Sequence, residues 1–346
     1  MPTDGIYGFG VVGCGVISDT HLDAIKELPN ARIIAVCDTR EEAAKAKAEQ
    51  YGCDYYTDLA EMLKDDSIDV CNIVVPSGLH AQLGIQCAEA GKHVICTKPI
   101  DITLEKIDAL IEACDRNGVK CGATHQLRGY AVYKRVKEAA ESGRLGKLLY
   151  GNAMVPWYRS DEYYSDGWHG TKALDGGGAL MNQSIHYVDL LIWIMGEVAS
   201  LGGYADALAH DMIEVEDCAT AALKFTSGAQ GVIQGTTCTY KGHPAVLSIH
   251  GTRGNIVVVG DDIKFWEVEG EPEEVNLNAG QAGATADPKM GMLGEAVPAH
   301  AEQIADVLAA VDEDRDPVLS GREARRAVEV ILRIYESAET GKMVQF

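Results

Sequence analysis

Over the first 122 residues, short apolar runs alternate with stretches whose apolar positions recur every three to four residues. IYGFGVVG reads as a strand and ISDTHLDAIKEL as a helix; ARIIAVCD is a second strand, followed by a charged helix from about Arg40 to Gln50. IDVCNIVV, HVICTKP and VKCGATH are further strands, separated by the helical patterns LHAQLGIQCAEAG and LEKIDALIEACDRNG. Gly91 stands where the first of these helices needs a C-cap. Such alternation predicts an α/β unit built on a doubly wound parallel sheet.

After about Ala123 the pattern changes. GYAVYKRVKEAAESG predicts a helix, LGKLLYGNAMVPW an extended segment, and an aromatic-rich loop leads to a helix from about Gly178 to Met195. Between Ala219 and Gly260, ATAALKF, GVIQGTTCTY, AVLSIHG and NIVVVG read as antiparallel strands with turns at TSG and TRGN. The last helix opens with Ser320 and Glu323 as a capping box, carries Ala324, Val328, Ile331 and Tyr335 on one face, and should stop at Gly341. The expectation is two domains, residues 1–122 and residues 123–346, the second α+β with a mostly antiparallel open sheet. A length of 346 residues agrees with that count.

Composition narrows the class. Hydrophobic content of 47% and charged content of 24% are those of an ordinary globular chain. No run approaches the roughly 18 apolar residues of a membrane span. The start, MPTDGIYGFGVVG, lacks a basic n-region and a small-residue cleavage site, so cytoplasm is the expected location. The ten cysteines form no Cys-x-x-Cys pair and eight fall within the first 121 residues, mostly in apolar runs. Buried free thiols explain them better than disulfides or zinc ligands, and no metal is expected. A net charge of −22 argues against a nucleic-acid partner, which would demand a basic face.

The turn after the first strand reads Gly13-Cys14-Gly15-Val16-Ile17-Ser18. A dinucleotide-binding turn needs glycine where the chain bends tightly and where backbone meets the pyrophosphate, then a small residue where helix packs on strand. Strand before, helix after and an acidic residue ending the second strand all agree, so Gly13, Gly15, Val16 and Ile17 become cofactor-binding candidates in a Rossmann-type domain. Asp38 can bond a ribose 2′-hydroxyl and repel a 2′-phosphate, which favours NAD. Arg40 is a guanidinium that could accommodate that phosphate, so NADP stays open.

Oxidising an alcohol requires a positioned acid/base beside the nicotinamide. Thr97-Lys98-Pro99 ends a strand at the edge where open α/β sheets bind ligands. A partly desolvated lysine there can shuttle the hydroxyl proton; the bland alternative is a surface lysine beside a turn. The second candidate is the segment from Asp175 to Asp189, in which three glycines precede Asn182, His186 and Asp189. At i, i+4 and i+7 these three would share one helix face, though a lone histidine there could equally be a satisfied interior residue.

Taken together, GCGVIS, Asp38, PSGLH at 76–80, TKP at 97–99, the GGG…H..D segment and the terminal GREARRAVEVILRIYESAETGK resemble the glucose-fructose oxidoreductase/inositol dehydrogenase/MocA family over essentially the whole chain. The resemblance implies a Rossmann domain, an α+β domain whose open sheet often joins subunits into a dimer or tetramer, and cofactor contacts from Pro76, Ser77, His80, Lys98 and Gln126. It implies catalysis by Lys98 and His186, with Asn182 beside them. Members usually carry Glu-Lys-Pro, so Thr97 departs from the pattern. Many place aspartate where Asn182 stands; asparagine cannot titrate, so the proton chemistry is expected of Lys98 and His186. A narrower likeness runs through PSGLH, Gln126-Leu-Arg128, Glu162-Tyr163-Tyr164, Trp168, Met181-Asn182-Gln183 and Val215-Glu216-Asp217. It points to dehydrogenases that oxidise the 3-hydroxyl of UDP-N-acetylglucosaminuronate.

A sugar also suits the aromatic loop. Trp157, Tyr158, Tyr163, Tyr164 and Trp168 cluster in a chain only 6% aromatic. Aromatic faces can cover the C–H faces of a pyranose, and Arg128, Arg159 or His169 could receive a carboxylate or phosphate; an interior or interface patch is the alternative. His300, at the head of a helix, reads as a solvated first-turn histidine. The expected function is reversible NAD-dependent oxidation of a secondary hydroxyl on a sugar, sugar nucleotide or cyclitol, with Lys98 and His186 on the substrate. Redox-assisted glycoside elimination or hydrolysis with recycled NAD, and a non-enzymatic dinucleotide sensor, are the competing readings.

Overall fold

The computed structural model describes residues 5–280 and 293–346. The chain divides into two compact units: Met1–Gly129 with Gly294–Arg325, and Tyr130–Leu293 with Arg326–Phe346.

In the first unit the elements run β1 (Tyr7–Val12), α1 (Ser18–Lys26), β2 (Ala31–Cys37), α2 (Glu41–Tyr51), β3 (Asp54–Tyr56), α3 (Leu59–Met62), β4 (Val70–Ile73), α4 (His80–Glu89), β5 (His93–Thr97), α5 (Leu104–Asn117) and β6 (Cys121–Thr124). The six strands are all parallel, in the order β3-β2-β1-β4-β5-β6. The order reverses between β1 and β4, which is where doubly wound sheets bind their ligands. All six residues of β1 are buried, as expected of a parallel strand covered on both faces.

The expected boundary at residue 122 moves. Residues 123–129 carry β6 to its end and stay with the first unit. The helix Leu293–Asp312 belongs there too, because its apolar Ile304, Val307 and Leu308 join the core made by Phe9, Val11, Leu22, Ile25 and Val36. Amphipathic spacing identified this segment as a helix but could not say which core its face completes.

The second unit holds α6 (Ala131–Glu141), β7 (Leu148–Pro156), α7 (Ile185–Met195), β8 (Val198–Asp206), β9 (Cys218–Phe225), β10 (Gln230–Thr236), β11 (Val246–Gly251), β12 (Gly254–Val259), β13 (Asp262–Val268), β14 (Glu274–Val275) and β15 (Val344–Gln345). These strands form one sheet in the order β14-β13-β12-β11-β7-β10-β9-β8-β15, antiparallel apart from the β7–β10 pair. Burial alternates residue by residue along β9, so one face is covered and the other open. α7 lies on the covered face: a side chain at Gly151 of β7 would meet Leu191 and Met195 at 3.0 Å.

The last helix, Gly321–Thr340, starts with Glu323 N–H donating to Ser320 Oγ at 3.3 Å and stops at Gly341, whose φ is 65°. Among the described residues no helix is long and apolar enough to cross a membrane.

Candidate functional site

In the first unit the carboxyl ends of β1, β4, β5 and β6 open on one sheet edge, because all four strands are parallel. They deliver Gly13, Pro76, Lys98 and Gln126 to that edge. Gly13 has φ 106°, and a Cβ there would meet the Val74 carbonyl oxygen at 2.5 Å, so only glycine lets the turn pass β4. A Cβ on Gly15 would meet nothing within 4 Å: the backbone there faces open space, as a pyrophosphate requires. Val16 and Ile17 are exposed on the same turn. Ser18 is fully buried and donates its hydroxyl to the Gly15 carbonyl at 2.6 Å, meeting the need for a small third residue.

Asp38 closes β2. Its Oδ2 accepts the Cys14 N–H at 2.9 Å, tying the acidic residue to the glycine turn. Arg40 forks onto both carboxylate oxygens at 3.1 Å and adds its own N–H at 2.9 Å. Burial alone would raise the Asp38 pKa, but the bonds from Arg40 and Cys14 outweigh it and hold the carboxyl below its ordinary value. The Arg40 side chain is 68% exposed, so the guanidinium neutralising Asp38 is also accessible from solvent.

Lys98 is half-buried and precedes a cis peptide to Pro99. Two buried side chains bind the turns on either side. His80 sets Nδ1 2.7 Å from the Pro99 carbonyl and Nε2 2.8 Å from the Val75 carbonyl. Asp101 accepts the N–H of Ala81 at 2.9 Å and of Ile102 at 2.6 Å. Lys106 donates to the Gly78 carbonyl at 2.8 Å. His80, expected among the cofactor contacts, is therefore enclosed between two backbone carbonyls, of which a neutral imidazole bonds one with its single N–H, and it sits between the 75–80 turn and the Lys98 turn. Ser77 is buried in that turn, while Pro76 and Gln126 are half-buried.

In the second unit the expected helix from Gly178 does not begin as an α-helix. Ala179–Ser184 is a π-helical turn, and α7 follows from Ile185. Asn182 therefore sits in a wider turn than His186 and Asp189, and the α-helical i, i+4 relation between Asn182 and His186 does not hold. The cause is Glu216, which is 6% exposed. Its carboxylate accepts the N–H groups of Gly178 and Leu180 at 2.8 and 2.7 Å, and its carbonyl accepts that of Ala179 at 3.0 Å. Tyr335 donates to the same carboxylate at 2.9 Å. The glycines permit this: side chains at 177 and 178 would strike the Tyr335 hydroxyl and the Glu216 carbonyl, and Gly176 has φ 74°. Burial pushes the Glu216 carboxyl up to about 7, against hydrogen bonds that favour the ion.

Asn182 donates Nδ2 to Asp175 Oδ1 at 2.7 Å, and Asp175 Oδ2 accepts the Gly170 N–H at 2.9 Å. Gln183, its neighbour on the π-turn, donates to the Tyr163 hydroxyl at 2.9 Å. His186 is 5% exposed and Asp189 fully buried. The aromatic loop is a cluster of tilted and edge-to-face rings. His169 lies 3.7 Å from the Trp168 ring and 4.2 Å from the Tyr163 ring, with its Nδ1 2.6 Å from Asp166. The Arg159 guanidinium lies 5.2 Å from the Tyr163 ring and 5.5 Å from the Trp157 ring.

Two expectations are redirected. Arg128 belongs to the first unit, is 7% exposed and pairs with Glu323 at 2.9 Å, so it braces that unit where an anion receptor was expected. His300 is not solvated: it is 2% exposed, donates Nδ1 to the Ala296 carbonyl at 2.7 Å and packs edge-on to His21 at 4.6 Å. Asp175, Glu216 and Tyr335 received no role from sequence. The glycines beside Asp175 were the available signal, since a residue locked ahead of three close backbone approaches is well placed to brace the segment. Among the described residues no group of three or more His, Cys, Asp or Glu is arranged to hold a metal ion.

Residues 7–125 match the GFO/IDH/MocA oxidoreductase family, NAD-binding Rossmann fold, and residues 133–257 match the GFO/IDH/MocA C-terminal domain. Myo-inositol 2-dehydrogenase of Thermotoga maritima is 29% identical over 254 residues, 71% of this chain and 73% of the relative. Levoglucosan dehydrogenase of Pseudarthrobacter phenanthrenivorans is 30% identical over 285 residues, 72% of each. The WlbA dehydrogenase of Bordetella pertussis, solved in complex with NADH and UDP-GlcNAcA, superposes with a TM-score of 0.87 at 33% identity, covering 99% of both chains.

Proposed function

The chain belongs to the GFO/IDH/MocA oxidoreductase family and carries its NAD-binding Rossmann domain, and from that premise we propose that it oxidises, reversibly, a secondary hydroxyl on a sugar nucleotide. A UDP-N-acetylglucosaminuronate-like molecule attacked at its 3-position fits best, with free sugars and cyclitols as the wider class. The observation that carries this reading is the 33% identity, over 99% of both chains, to a dehydrogenase holding NADH and UDP-GlcNAcA.

The residues present fit the cofactor. Gly13 makes the tight turn, Gly15 leaves the backbone open to the pyrophosphate, and exposed Val16 and Ile17 line the turn. Asp38 takes the ribose hydroxyls, Arg40 tempers its charge, and Pro76, Ser77 and Gln126 shape the nicotinamide end. NAD, when bound, supplies the hydride acceptor. Lys98 takes the hydroxyl proton. His186 hydrogen-bonds the reacting or adjacent hydroxyl, and Asn182 orients a neighbouring oxygen. Trp157, Tyr163 and Trp168 cover apolar ring faces, while Arg159 and His169 meet a carboxylate or phosphate.

The enzyme acts in the cytoplasm as a homo-oligomer joined through the open face of the second unit's sheet, where Tyr150, Met154 and Val232 are exposed. Incubating the protein with NAD and UDP-GlcNAcA, myo-inositol or levoglucosan, then following NADH absorbance and product mass, tests the reading. Net NADH with loss of two hydrogens from one of these is expected. A product changed by elimination or hydrolysis without net NADH would replace it with a recycled-cofactor mechanism, and silence with all three would overturn it.

A further inference from the structure

The asparagine on the π-turn is held from behind. A carboxylate only accepts hydrogen bonds, so the 2.7 Å contact with Asp175 assigns the Asn182 amide: Nδ2 faces Asp175, and Oδ1 is the end the side chain presents elsewhere. Asp175 is 1% exposed and cannot turn away, because its other oxygen is tied to the Gly170 N–H. Gly170 is itself fixed: φ is 76°, and a Cβ there would meet Ile213 at 2.7 Å.

We propose that Asp175 is a positioning residue for the reaction, fixing Asn182 so that position 182 offers substrate a hydrogen-bond acceptor that neither titrates nor carries charge. The proposal rests on the dehydrogenase reading given above. It deepens that reading by giving Asp175 a place behind the amide that meets the sugar. Asp175 acts on the phenols of Tyr163 and Tyr164 from the loop and of Tyr335 from the last helix. Burial first, and the Asp175 charge in addition, keep all three phenols protonated. Arg159 lies over the Tyr163 ring and Glu216 accepts from Tyr335. The pair thus presents a carboxyl and an amide with fixed ends.

The geometry makes a reciprocal test possible. Asn182→Asp alone sets two carboxyls in contact, which must share a proton. Asp175→Asn with Asn182→Asp restores a donor–acceptor pair with roles exchanged: the new amide can accept the Gly170 N–H and donate to the carboxylate at 182. The full-length protein is assayed with NAD against UDP-GlcNAcA, myo-inositol and levoglucosan, and its unfolding is followed in urea at about pH 5.5 and about pH 8. Asp175→Ala and Asn182→Asp should each lower kcat about 10- to 100-fold with KM for NAD unchanged. The double variant should regain kcat to within about tenfold of the parent. Asn182→Asp should lose more stability than the parent on going to the higher pH, and the double variant should lose no more than the parent.

Parental kcat in Asp175→Ala, or a double variant no better than Asn182→Asp, would overturn the proposal while leaving the dehydrogenase reading intact. Coupling seen in stability but absent from kcat would make Asp175 a brace and overturn it equally. A parent silent on all three sugars would sink the dehydrogenase reading and this proposal with it.

Discussion

The two units hold their functional segments by opposite means. At the Rossmann edge, turns are locked by glycine geometry and by buried imidazoles: His80 sits between two carbonyls, His21 sets Nδ1 3.1 Å from the Asn72 amide, and His300 packs on His21. In the second unit the locks are buried carboxylates, Glu216 gathering the N–H groups of the π-turn and Asp175 holding Asn182. An imidazole kept from water resists gaining a proton, whereas a carboxyl kept from water resists losing one. The two regions should therefore respond to pH with opposite signs, although one chain forms both.

The largest expected effect breaks the comparison at its chemical end. Lys98→Met should leave NAD affinity, measured by calorimetry, near that of the parent while kcat falls about 10²- to 10⁴-fold, the range for losing a general base. Next comes the pH response. Burial lowers the pKa of His21 and His80, and takes His300 down to about 4. The unfolded chain then binds more protons below about pH 6.5, so the stability these residues allow is present above that value and lost as pH falls toward 4. Glu216 runs the other way: its folded value of about 7 lies above the ordinary carboxyl value, so its contribution is complete below about 4.5 and lost as pH rises through 7.

All four tryptophans, at 157, 168, 193 and 266, lie in the second unit. Tryptophan fluorescence therefore reports the carboxylate-held unit and NAD binding reports the imidazole-held one. Urea titrations should show the fluorescence midpoint falling between about pH 5.5 and pH 8, while retention of NAD binding improves over the same interval. Smaller again, Glu216→Gln should cost about 1–3 kcal/mol by setting an amide donor against a backbone N–H, and should flatten the fluorescence-detected pH slope. A slope unchanged in that variant would remove Glu216 from the account. The smallest effect is Arg40→Ala. Its ion pair is exposed, so stability should change by less than about 1 kcal/mol, and the readout is the ratio of kcat/KM for NAD over NADP, which should rise as Asp38 loses its neutralising partner.

How much of this the sequence revealed follows the same division. The glycine turn, Asp38 and the strand-end lysine are local features, each within a few residues of a strand whose apolar run announces it, and all six parallel strand positions except the short β3 were legible. The carboxylate locks are not local. Glu216 acts on residues 178–180 from 36 to 38 positions away, and Tyr335 reaches Glu216 across 119. Periodicity therefore predicted a continuous helix from Gly178 and missed the π-turn that those distant groups impose. Arg128 and His300 were misjudged for a related reason. Charge and a helix-head position suggest exposure, but their partners, Glu323 and the Ala296 carbonyl, satisfy them inside the first unit.

The central claim is hydride transfer from a sugar carbon to NAD. Its most direct measurement uses UDP-GlcNAcA carrying deuterium at carbon 3, incubated with the protein and NAD, followed by mass spectrometry of the reduced cofactor. The account predicts NADH carrying one deuterium, formed in step with a product lacking it. Reduced cofactor without label, or a product that keeps its deuterium at carbon 3 while NADH accumulates, would contradict it.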